Sequence, residues 1–162
     1  MKHLSIATAM AGILLVAGPA AWAQKPPPPT PYGTPISLAM AKKAAHAALA
    51  QAAKQEWPEA VAIVGPAGRL VLFEKMDNTQ YGSIHLAIRK AQTAAMFRQP
   101  SQNFENITKK FPAILGLEGA MPIGGGVPLV VDGKIVGAIG ASGAPFSAPD
   151  DKVAGAGTAV VK

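Results

Sequence analysis

The sequence predicts an α+β domain, a mainly antiparallel sheet of about five strands flanked by helices. Three observations carry that expectation. Segments with helical and β-type patterns follow one another in the order helix, hairpin, helix, connector, hairpin, helix. Both hairpins close through short turns, Gly65-Pro66-Ala67-Gly68 and Asp132-Gly133, too short for the crossover that parallel strands need. The chain has 162 residues, 49% of them hydrophobic and 15% charged, which suits one domain with its own core.

Each element has its own signal. From Ser37 to about Gln55 there is no Gly or Pro, and Leu38, Ala41, Ala45, Ala48, Leu49 and Ala52 recur at helical spacing; Ser37 is a natural N-cap and Pro58 lies beyond the end. Ala60 to Val64 and Arg69 to Glu74 are apolar or β-branched runs on either side of the first turn. A polar break, Asp77 to Gln80, precedes a second helix from Ser83 to about Arg98, with Ile84, Ala87, Ile88, Ala91 and Ala95 as its apolar stripe and Pro100 closing it. Ser101 is expected to cap a short helix through Ile107, and residues 108–122 look irregular. Gly126 to Val131 and Lys134 to Ser142 form the second hairpin, because Asp132 and Gly133 both tolerate the positive φ its turn demands. A last helix is expected from about Pro149-Asp150-Asp151 to Val161, its carboxylates suited to the positive end of the helix dipole.

Ahead of this domain lie two segments of different character. Residues 1–23 have a basic start at Lys2 and His3, an apolar stretch from Leu4 to Val16, and the small-residue end Ala21-Trp22-Ala23 that signal peptidase requires. The apolar stretch falls short of the roughly 20 residues that span a bilayer, so the expectation is a signal peptide cleaved after Ala23, a periplasmic or secreted mature chain, and no stable membrane insertion. Residues 24–35 hold prolines at 26–29, 31 and 35, which favour an extended backbone and remove amide donors; this leader is expected to be a spacer, with the domain at 36–162.

Composition excludes several chemistries. With no cysteine there are no disulfides, thiolate zinc sites, cysteine nucleophiles or iron–sulfur clusters. The net charge of +6 is spread without a basic block, which argues against nucleic acid as a partner. Gly124-Gly125-Gly126 and Gly137 to Gly143 lack the Gly-Lys-Ser/Thr of a phosphate loop, and their glycines are expected to serve close backbone approach. Gly140-Ala141-Ser142-Gly143-Ala144 misses the last glycine of a nucleophile elbow, and no catalytic constellation appears elsewhere. After the signal only His46 and His85 remain, without HExxH spacing. His85 and Arg89 are one turn apart on one helix face, an imidazole for iron beside a cation for a carboxylate, while Lys90 and Thr93 fall on the adjacent face. Met40, Met76, Met96 and Met121 are further donors, with core filling their ordinary role.

The ordered set Ala60-Val61-Ala62-Ile63-Val64-Gly65, Met76-Asp77, Lys90-Ala91-Gln92-Thr93-Ala94, Gly124-Gly125-Gly126-Val127-Pro128-Leu129 and Asp132-Gly133-Lys134-Ile135-Val136-Gly137 resembles the GlcG/HbpS family from Ile36 to the C-terminus. The resemblance implies a profilin-like α+β domain, assembly into homo-oligomers and, for exported members, haem as ligand. It implies an exported haem- or tetrapyrrole-binding protein that assists haem handling or degradation, with Lys90 and Thr93 at matching positions as ligand contacts; the residues themselves, at a position where the family often differs, add His85 and then His46 as iron-ligand candidates and Arg89 as a propionate contact. The alternative is a non-enzymatic periplasmic oligomeric accessory subunit with an incidental small-molecule pocket; whether the protein is an enzyme stays open. On export the mature chain is expected to begin at Gln24, and Ala23→Arg, which no longer fits the peptidase pocket, to leave the precursor uncleaved. Intact-mass spectrometry of the exported fraction distinguishes the two.

Overall fold

Four antiparallel strands in the order β2-β1-β4-β3 form the centre of the computed structural model, which describes residues 27–162. The stretch expected to be a signal, residues 1–23, and residues 24–26 of the leader lie outside the described residues. Along the chain come α1 (Leu38–Ala53), β1 (Ala60–Val64), β2 (Leu70–Lys75), α2 (Gly82–Phe97), α3 (Ser101–Thr108), a 3-10 turn (Pro112–Gly116), β3 (Gly126–Val131), β4 (Lys134–Ser142) and α4 (Ser147–Thr158). Ser37 caps α1 as expected, its hydroxyl accepting from the Met40 amide at 3.2 Å. Asp132 and Gly133 take φ of 49° and 70° in the second hairpin. The last helix starts earlier than its acidic residues suggested, at Ser147, and part of the stretch expected to be irregular winds into the 3-10 turn.

The sheet has four strands rather than about five. Residues 31–36 run beside the first residues of β4 without becoming a strand. The Gly33 and Ile36 amides donate to the Ile135 and Val136 carbonyls, and the Ile135 amide donates to the Pro31 carbonyl, each at 2.8 Å. Only one parallel bridge, Tyr32 to Ile135, results. Pro31 and Pro35 have no amide to give, so the ladder cannot continue. The end of the leader is therefore docked rather than a free spacer. The Tyr32 hydroxyl lies 3.0 Å from both the Ala95 and Met96 carbonyls at the end of α2, and the Arg98 guanidinium stands 5.3 Å from the Tyr32 ring centroid.

The alternation of side chains along β1 divides the core. Val61 and Ile63 face α1 and α4, packing with Ala41, Ala44, Ala45, Ala48, Ile139 and Val153. Ala60, Ala62 and Val64 face the other way, onto Ala87, Ala91, Ala94 and Ala95 of α2. This second interface is made almost wholly of alanine and glycine, so α2 lies very close to the sheet. A Cβ on Gly140 would strike the Ala87 carbonyl oxygen and stand 2.6 Å from the Ala91 nitrogen. A Cβ on Gly126 would strike the Lys90 carbonyl. At its far end α2 meets α3 through Phe97 and Phe104, edge to face at 5.1 Å.

Gly140→Ala is expected to destabilise the fold by about 3 kcal/mol, the upper end of the usual cost of overpacking, since backbone rather than a flexible side chain must yield. Gly155→Ala in α4, where an added Cβ meets nothing within 4 Å, is expected to stabilise by about 0.5–1 kcal/mol. Urea unfolding of both variants measures the contrast.

Candidate functional site

Helix α2 carries four of the five candidate residues and separates them. His85 and Arg89 are exposed, with the Arg89 guanidinium 3.4 Å from the Ala120 carbonyl of the loop that follows the 3-10 turn. Lys90 and Thr93 point inward and are buried. The Thr93 hydroxyl donates to the Arg89 carbonyl at 2.8 Å and accepts from the Met121 amide at 2.7 Å, pinning that loop to the helix. His46 lies on α1, across the sheet from α2, and its Nε2 stands 3.5 Å from a Glu74 carboxylate oxygen in an exposed pairing of small energetic weight. Within one copy of the chain His46 and His85 therefore occupy opposite sides of the sheet and cannot share one iron. Lys90 and Thr93 are corrected as ligand contacts: both hydrogen-bond inside the protein and offer nothing to the surface.

The Lys90 ammonium sits 2.5 Å from Asp150 of α4 and 3.2 Å from the Ala141 carbonyl of β4. A buried lysine needs such a partner, because an unpaired charge in the interior loses its hydration without return. Three more carboxylates gather here. Glu59, immediately before β1, accepts from the Ala144 amide at 3.2 Å, and the same amide lies 3.3 Å from Asp150. Asp151 takes the Gly125 amide at 2.5 Å, and Glu105 of α3 takes the Gly124 amide at 2.6 Å and the Ser147 hydroxyl at 2.9 Å. Ser101, expected as the cap of α3, is instead its first helical residue, and its hydroxyl takes the Gly126 amide at 2.9 Å and donates to the Ile123 carbonyl at 2.7 Å. All three amides of the triple glycine are thus satisfied by the chain's own side chains, which removes the donors a phosphate would need and agrees with the close-approach reading of those glycines.

The charges in this network are unequal. Burial first, and then the neighbouring negative charge of Asp150, push the Glu59 carboxyl from an ordinary 4.5 up to about 8, against the pull of the Ala144 amide and the Lys90 ammonium. Its Oε2 has no hydrogen-bonding partner among the described residues, as suits a neutral acid rather than a carboxylate. Burial also raises Asp151, opposed by its bond from Gly125 and by Lys90. The arrangement near Lys90 is thus one cation, the Asp150 anion and a protonated Glu59. It braces α2, β4 and α4 together and offers no substrate access. Sequence reasoning placed Asp150 and Asp151 at a helix start and passed over Glu59. The available signal was Lys90 itself, a cation one residue from the alanine stripe, which required an acid from elsewhere in the chain.

Of three clefts on the surface of the described residues, one of about 200 Å³ lies between Gly33 and the second hairpin, and the two larger ones adjoin. One, of about 480 Å³, is lined by Tyr32, Pro66, Ala67 and Met96; the other, of about 380 Å³, is lined by Pro66 and Ala67 again with Gly33, Pro35, Gly65, Arg69, Leu70 and Val71. Both are predominantly apolar. Among the described residues no three His, Asp or Glu converge in a way that could hold a metal ion, and no helix is long and apolar enough to cross a membrane.

A four-stranded antiparallel sheet with two helices on one face and one closely packed helix on the other defines a small α+β protein class, here braced by a buried lysine. The family described as "Haem degrading protein HbpS-like" matches residues 36–159, and the chain belongs to that family. It is 32% identical over 114 residues to Protein GlcG of Escherichia coli K12, which covers 66% of this chain and 81% of that protein. A crystal structure of HbpS superposes with a TM-score of 0.75 at 32% identity, covering 80% of this chain and 92% of that one. The crystal structure of a PduOC–haem complex gives a TM-score of 0.72 at 22% identity, covering 80% and 96%, a likeness of fold.

Because native Glu59 keeps its proton to a higher pH than it does in the unfolded chain, its contribution to stability is full below about pH 4.5, declines as pH rises, and is lost above about pH 8. Glu59→Gln is expected to remove most of that slope, read from urea midpoints across pH 4 to 9. Lys90→Met strands Asp150 without its counter-charge and is expected to cost about 3–5 kcal/mol.

Proposed function

We propose that this chain is an exported haem- or tetrapyrrole-binding protein that takes part in haem handling or degradation in the periplasm or outside the cell. The observation that carries this reading is the match of residues 36–159 to a family described by haem degradation. A haem complex on the same fold supports it. The N-terminal signal pattern supports export.

The residues of this chain fit the group. A tetrapyrrole needs an apolar seat, cations for its carboxylates and a donor for its metal. The structure has the paired apolar clefts, the exposed guanidinium groups of Arg69 and Arg89, and surface donors in the imidazoles of His46 and His85 and the half-exposed thioether of Met96. When bound, haem supplies redox and oxygen chemistry that no protein side chain provides. The chain's own contribution is to hold the macrocycle, exclude water from its apolar face and pair its carboxylates. The Lys90 network lies inside and acts only by keeping α2 in place.

A second reading, the oligomeric accessory subunit, is favoured by a separate feature. Phe111 and Leu115, each 67% exposed, stand with Ile107 and Leu117 along α3 and the 3-10 turn, and a surface of that kind favours self-association. A haemin titration followed by absorption spectroscopy tests the first reading against the second. Saturation with a Soret shift at one haem per one or two chains is expected, and a linear, non-saturating response leaves the accessory subunit as the surviving reading.

A further inference from the structure

We infer that the tetrapyrrole sits across the Pro66-Ala67 turn between Tyr32 and Met96, with the Met96 thioether facing the iron and the guanidinium groups of Arg69 and Arg98 pairing its carboxylates. This inference rests on the haem-binding reading and names its site.

Several features converge on this one place. The two clefts share Pro66 and Ala67 as a common wall, and each is in the size range of small-molecule sites. Tyr32 forms one side, and its ring is held rather than free, because the hydroxyl is fixed by the Ala95 and Met96 carbonyls. One face of the ring carries the Arg98 guanidinium, so Tyr32 serves as a held apolar wall with a cation on it rather than as an open stacking face. Met96 forms the other side and is half exposed. Its sulfur stands 3.1 Å from where a Gly68 Cβ would be, so the absence of a side chain at Gly68 makes room for the thioether. Gly68 has φ of +72°, so few other residues suit this turn. The Gln92 amide donates to the Gly68 carbonyl at 3.2 Å and holds the turn against α2.

Charge points the same way. Arg69 lines the second cleft and Arg98 covers the Tyr32 ring at the edge of the first. Neither guanidinium pairs with a carboxylate among the described residues, and no acidic residue lines either cleft. The site thus suits a flat, apolar molecule with anionic groups on its rim. His46 and His85 line neither cleft. A thioether is a soft, neutral donor known for haem iron, so the seat needs no histidine.

The test titrates haemin and metal-free protoporphyrin in parallel into the purified protein and its variants, with circular dichroism as the control for folding. In wild type both are expected to saturate. Met96→Leu is expected to shift the haemin Soret band and weaken haemin by about tenfold while leaving protoporphyrin unchanged, because only haemin uses the sulfur. Arg69→Gln combined with Arg98→Gln is expected to weaken both ligands by at least about tenfold. Ala67→Trp, which fills the shared wall from an exposed turn position, is expected to abolish both; His46→Ala and His85→Ala are expected to change neither. Saturable haemin binding that survives Met96→Leu and Ala67→Trp, or that shifts with either histidine variant, overturns the assigned seat and leaves the haem-binding reading standing. Failure of wild type to saturate with haemin overturns both.

Discussion

The distance between α2 and the sheet governs the rest of this structure. Gly140 and Gly126 have no side chain where the α2 backbone passes, and Ala60, Ala62 and Ala138 keep the floor beneath it low. An interface of such small side chains has little apolar area per residue, so it gains from the number and closeness of its contacts rather than from large buried groups. Closeness also dictates chemistry. A lysine on the buried face of a helix lying so near the sheet cannot reach water, and its charge must be answered within the protein.

Asp150 answers it, and the reply organises the other end of the domain. Because Asp150 and Asp151 open α4, the ion pair draws that helix against the Gly124 to Gly126 stretch, where the chain's own acids and Ser101 take the three amides. Glu59 completes the arrangement from the start of β1, neutral where a second anion would leave the interior with surplus negative charge. The result is a polar brace running from α2 through β4 to α4, on the inside, while His85 and Arg89 of the same helix remain in solvent. One helix thus divides its polar residues between architecture and surface.

Much of this was legible from local signals. The hairpin turns, the Ser37 cap and the pairing of His85 with Arg89 apart from Lys90 with Thr93 follow from spacing and turn chemistry alone. What escaped involves long-range partners. Lys90 and Asp150 are 60 residues apart, and no local pattern announces that a lysine will be buried by an acid so distant. Ile84 and Ile88 looked like the centre of the buried stripe, yet they are only half-buried, because the close interface admits alanine and excludes larger side chains. The prolines of the leader suggested a spacer, since the bond from the Tyr32 hydroxyl to the end of α2, 63 residues on, is invisible in sequence. No local signal located a fifth strand, and the segment that runs beside β4 stops at a single bridge, since the same prolines have no amides to give.

The protonated Glu59 also ties folding to the solvent's acid–base balance. At neutral pH Glu59 is mostly protonated in the native chain and ionised in the unfolded one, so unfolding releases close to one proton per molecule from this group to the buffer. The heat absorbed on unfolding then includes the buffer's own heat of protonation. Two buffers at the same pH, one that binds protons with a large enthalpy and one with almost none, give different apparent unfolding enthalpies for the same structural event. A single carboxyl group hidden beside a helix start thereby becomes visible to calorimetry of the whole molecule.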